Sequence, residues 1–71
     1  MRRYNTIEAL TEVVGDGYFT DTPKGKVFLS NGEMYQAILN KAVIMIIDKC
    51  RNCFYCLFDS YSEAKRMFND L

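Results

Sequence analysis

The chain has 71 residues, 49% of them hydrophobic and 14% aromatic, which allows one small core and excludes a two-domain enzyme built around an interdomain cleft. Nine basic residues balance nine acidic ones, so the chain lacks the strongly basic footprint of a nucleic-acid binder and the acidic surface of a DNA mimic. Histidine is absent, which removes the commonest general base and metal ligand.

The two arginines near the N-terminus are followed by Asn5, Thr6 and Glu8 instead of an apolar stretch, so no secretory signal is expected. The longest apolar run, residues 42–47, is too short to cross a membrane. Three cysteines without a signal peptide suit a reducing compartment, and the expected location is the cytoplasm.

Asn5 and Glu8 have capping-box spacing, and Ile7, Leu10, Val13 and Val14 recur at helical intervals before Gly15 and Gly17 break the pattern. A short first helix follows. Residues 18–20 and 26–29 are β-type segments on either side of Asp21-Thr22-Pro23-Lys24-Gly25, and they predict a small exposed hairpin or loop.

Residues 30–39 admit two exclusive readings. Asn31-Gly32 is a strong hairpin signal, and a strand here pairs Leu29 with Met34 and Phe28 with Tyr35 before turning at Asn40-Lys41. Ser30 with Glu33 is equally a helix capping box, followed by good helix formers with Tyr35, Ile38, Leu39 and Ala42 on one stripe. Both stay open at this level.

The β-branched run 43–48 and the aromatic run 53–58 predict a hairpin across Lys49-Cys50-Arg51-Asn52. Ser60-Tyr61-Ser62-Glu63 is a full capping box, with Tyr61, Ala64, Met67, Phe68 and Leu71 at helical spacing behind it. The expected fold is a single small α+β domain over residues 1–71: an antiparallel sheet containing 43–48 and 53–58, with N- and C-terminal helices packed on it.

Cys50-x-x-Cys53-x-x-Cys56 has the spacing with which many zinc and iron–sulfur sites begin. A fourth ligand is missing, however, and on a strand Cys53 and Cys56 point to opposite sides. No metal and no cofactor are therefore expected. The carboxylates form no placeable pair, and the serines have no histidine to activate them. The glycines match neither a phosphate loop nor a dinucleotide fingerprint. No catalytic set emerges.

Residues 24–51 carry five basic and two acidic side chains, a mildly basic middle near Phe28, Tyr35 and Tyr55 that lacks the aromatic run of a single-strand binder. These features make a non-enzymatic protein-binding module the expected function, a regulator or inhibitor that occupies a partner protein's surface. Small, neutral regulators of this kind include phage and mobile-element counter-defence proteins such as anti-CRISPR and anti-restriction proteins. The alternative is a small metal-stabilised or nucleic-acid-binding regulator that uses Cys50, Cys53, Cys56 and the basic middle.

If a four-residue connection at 49–52 sets Asp48 opposite Cys53, then Ile47, Met45 and Val43 face Phe54, Cys56 and Phe58 as the core. Ile44, Ile46, Tyr55 and Leu57 then share the other face, which needs a cover: the first helix, a second copy of the chain or another protein. These four residues are the expected partner-binding set, with Tyr55 as anchor.

Overall fold

The structure, a computed structural model, describes residues 1–15 and 22–71. Among the described residues seven elements follow in order: β1 (Arg2–Tyr4), α1 (Ile7–Val14), β2 (Lys24–Ser30), β3 (Glu33–Asn40), β4 (Val43–Ile47), β5 (Cys53–Leu57) and α2 (Tyr61–Asp70). The strands form one antiparallel sheet in the order β1-β5-β4-β3-β2. The α+β architecture expected from the sequence is present, with one helix on each face of the sheet. The β-type segment expected at 18–20, together with Gly17, lies outside the described residues.

The ambiguous stretch is a strand. Asn31 and Gly32 both take positive φ, 54° and 80°, the mirror-image turn whose twist matches two antiparallel strands. Leu29 then pairs with Met34 and Phe28 with Tyr35, and the Phe28 and Tyr35 rings stack 5.5 Å apart. A helix from Ser30 would forfeit this ladder. The strand β2 begins at Lys24, so Lys24 and Gly25 belong to the sheet and not to the preceding loop.

Two further details differ from expectation. Thr6, not Asn5, caps α1, its hydroxyl accepting from the Ala9 amide at 3.1 Å. The chain before it forms β1, which three residues of ordinary polarity did not announce, and which pairs with β5 through Arg2 opposite Leu57 and Tyr4 opposite Tyr55.

Alternation along the strands divides the core in two. Ala37, Leu39, Ile44, Ile46, Cys56 and Phe58 pack under Ala64 and Phe68 of α2. On the opposite face Val43 and Tyr55 pack with Leu10 of α1, joined by Tyr4, Val14, Met45 and Leu57. The α2 helix starts where the capping box placed it, the Ser60 hydroxyl accepting from the Glu63 amide at 3.2 Å. Its other end is held by Lys26, whose ammonium donates to the Phe68 carbonyl at 3.3 Å and the Leu71 carbonyl at 2.9 Å. A cation is favoured there by the partial negative charge of a helix C-terminus.

Candidate interaction surface

The turn after β4 decides which side chains share a face. Arg51 takes φ 68°. The Asp48 carboxylate accepts from the amides of Cys50 and Asn52 at 2.8 and 3.0 Å, and the Asp48 amide donates to the Asn52 carbonyl. The loop proper is therefore three residues, 49–51, and not four. Ile47 pairs with Cys53, Ile46 with Phe54, Met45 with Tyr55, Ile44 with Cys56 and Val43 with Leu57. This register is one residue away from the expected one, and a one-residue slip exchanges the faces of a strand.

The expected set Ile44, Ile46, Tyr55 and Leu57 is accordingly not one surface. Ile44 and Ile46 lie beneath α2, with exposures of 2% and 8%. Tyr55 and Leu57 lie on the opposite side against α1, where Tyr55 is buried and Leu57 half-buried. Each pair is covered by a helix of the same chain. The core face expected for Val43, Met45 and Ile47 together with Phe54, Cys56 and Phe58 is likewise divided between the two sides.

The cysteines separate as strand alternation requires. Cys50 is exposed in the turn, Cys53 lies on the α1 side with its Sγ 3.8 Å from the Tyr55 hydroxyl, and Cys56 is buried under α2. Burial pushes the Cys56 thiol up from its ordinary pKa, against a smaller opposing effect of Arg3. Among the described residues no three Cys, Asp or Glu side chains come together as a metal site. The basic middle is dispersed as well. Lys24 and Lys41 lie near one end of the sheet around Leu39, while Lys49 and Arg51 occupy the turn at the other end. The Lys49 ammonium stands 3.9 Å from the Glu33 carboxylate, and Lys26 is engaged at α2.

Glu33 also draws the Tyr35 hydroxyl, which donates to its carboxylate at 3.2 Å, and this bond raises the tyrosine pKa. On the same side a groove of about 370 Å³ runs beside α2, lined by Phe28, Tyr35, Phe54 and Met67 among others. The Arg3 guanidinium sits 3.9 Å from the centre of the Phe54 ring, a cation–π contact that covers part of this wall.

Among the described residues, the β2–β3 half of the α1 face stays uncovered. The helix α1 packs over the β1, β5 and β4 side, and eight residues do not reach further. Val27, Leu29 and Met34 consequently remain 56%, 71% and 58% exposed. They lie on one face by alternation, Leu29 directly opposite Met34 and Val27 opposite Gln36, with half-buried Ile38 and Ile47 alongside. Beside them Gly25 has no side chain, and a shallow hollow of about 290 Å³ opens there between Val27, Gln36 and Ile38. Sequence reasoning missed this patch because it sought the uncovered face in the central hairpin. The signal was available in the strand reading of 30–39, which sets Leu29 beside Met34.

Comparison with known protein families, with characterised proteins and with solved structures finds no match to this chain.

Proposed function

We propose that this chain is a non-enzymatic protein-binding module, a regulator or inhibitor that acts by covering a surface of another protein. The observation that carries this reading is the group Val27, Leu29 and Met34, held in contiguity on an edge hairpin and left bare by the chain's own helix. Single exposed apolar residues are ordinary on protein surfaces, whereas a contiguous group on one rigid face marks a contact site. Two features support its use for protein. The patch is apolar with polar residues such as Gln36 beside it, and its unbranched Met34 adapts to a partner's contour. The edge beside it offers backbone hydrogen bonds to an extended segment.

The test is capture of the partner with the tagged full chain, identification by mass spectrometry, and titration of the purified partner by calorimetry. Replacing Leu29 and Met34 together by Asp is expected to weaken binding at least about 100-fold, because both exposed anchors become charges that the partner must desolvate. Circular dichroism and melting should stay those of the wild type. An affinity that changes less than about twofold would overturn this assignment of the surface.

A further inference from the structure

We infer that the β2 edge pairs with the β2 edge of a second copy of this chain, antiparallel, about a two-fold axis that runs between the two copies of Val27. The inference rests on the reading of this edge and face as a protein contact surface, and it names an occupant.

The backbone sets the register. Ser30 and Glu33 flank a two-residue turn, so they form a hydrogen-bonded pair, and such pairs alternate along an antiparallel ladder. Ser30, Phe28, Lys26 and Lys24 therefore turn their N–H and C=O groups toward β3. Gly25, Val27 and Leu29 turn theirs outward, where the sheet order places no further strand among the described residues. A two-fold axis normal to the sheet keeps each face continuous only when it sets a residue opposite its own copy, and the choice of residue fixes how many outward groups meet. With the axis at Val27, Gly25 meets Leu29 of the second copy, Val27 meets Val27, and Leu29 meets Gly25, which satisfies all six outward groups of each strand in mutual bonds. Axes at Lys26 or Phe28 leave one outward residue on each copy unmatched.

The side chains agree with this register. On the α1 face the 71% exposed Leu29 of one copy falls across Gly25 of the other, into the hollow bounded by Val27, Gln36 and Ile38. The row Ile38, Gly25, Leu29, Met34 then runs unbroken across both copies, with the leucine filling the gap left by the glycine. On the α2 face Lys26 meets Phe28 and Lys24 meets Ser30, so no lysine stands directly opposite a lysine. Lysines on an edge deter indiscriminate pairing, and in this register each faces a neutral residue, whereas an axis at Lys26 would set lysine against lysine. A single seven-residue edge buries less than the roughly 1,200 Å² at which stable complexes begin. The pairing is therefore dissociable and depends on concentration.

Sedimentation velocity of the full chain under reducing conditions, from about 5 μM to about 1 mM, reads it directly. The wild type should shift reversibly from monomer to dimer. Gly25→Val fills the hollow, and at its Cβ position the nearest atom, the Ala37 carbonyl oxygen, is an ordinary contact at 3.9 Å, so the fold accepts it. Val27→Pro removes an outward amide that β3 does not use. Each variant should raise the dimer dissociation constant at least about tenfold with an unchanged melting curve. A wild type that stays monomeric throughout, or a dimer that survives Gly25→Val, overturns the pairing. Should such a monomer still bind its captured partner through Leu29 and Met34, the self-pairing alone has failed; a dimer with no heterologous partner overturns the proposed function instead.

Discussion

Removing the Phe68 ring tests whether α2 is docked as described. Phe68 is 7% exposed and fills the α2 side of the core with Ala37, Leu39, Ile46 and Phe58. Its ring also lies 5.6 Å from the Lys26 ammonium that holds the helix end. Truncation of a buried Phe to Ala costs about 3 to 5 kcal/mol through lost transfer energy and the cavity left behind. The gain in helix propensity recovers only about 0.5 kcal/mol. A 71-residue domain at about 0.05 to 0.15 kcal/mol per residue has about 4 to 11 kcal/mol in all, so Phe68→Ala removes a large share of it. At about 4 to 8 °C per kcal/mol the melting temperature falls by about 10 °C or more. Urea unfolding followed by circular dichroism gives the free energy, and Met67→Ala serves as the control. Met67 is 47% exposed on the adjacent position of the same turn, so its truncation should cost less than about 1 kcal/mol. Equal losses for the two variants, or a loss below about 1 kcal/mol for Phe68→Ala, would refute the docking of α2 through this ring.

Ser60→Ala deletes the hydroxyl that accepts from the Glu63 amide and should lower stability by about 1 kcal/mol in urea titration; an unchanged midpoint would show that the helix does not depend on this cap. Asp48→Ala leaves the amides of Cys50 and Asn52 without their carboxylate acceptor, and a loss of about 1 to 2 kcal/mol is expected. In that variant the amide exchange of both residues should also quicken, and unchanged exchange would contradict the turn. Burial holds Cys56 protonated above its ordinary range, so the folded state binds this proton more tightly than the unfolded one. The stabilisation from it is complete below the unfolded thiol pKa of about 8.5 and fades as pH rises beyond it. Wild-type stability should thus decline more steeply between about pH 8 and pH 10 than that of Cys56→Ala, and parallel slopes in urea midpoints would show that the thiol is not desolvated.

Ile46→Lys illustrates how a change of register alters an expectation. On the sheet face inferred from the four-residue connection, that substitution would have disrupted association and spared the monomer. With Ile46 paired to Phe54 and Ala37 beneath α2, it buries an unpaired ammonium in the core, and the monomer itself should fail to fold.

The sequence by itself determined the features that a few neighbouring residues decide. Ser60 and Glu63 bond within one turn of backbone, so the start of α2 was legible. Runs 43–48 and 53–58 have the branched and aromatic composition of strands, and β4 and β5 lie within them. The opposite orientation of Cys53 and Cys56 followed from strand period alone. Tertiary structure decided what depends on one residue of loop length or on a distant partner. Asp48 folds back on the amides of Cys50 and Asn52 and shortens the loop to three residues, and that single step moves Tyr55 and Leu57 to the face opposite Ile44 and Ile46. Residues 30–39 carried equal local signals for helix and strand, and Phe28 stacked on Tyr35 together with β4 on the other flank settled the choice for strand. Each helix reaches only part of its sheet face, and no local pattern encodes that reach. Leu29 and Met34 are left exposed because an eight-residue α1 packs at the far side of a five-stranded sheet.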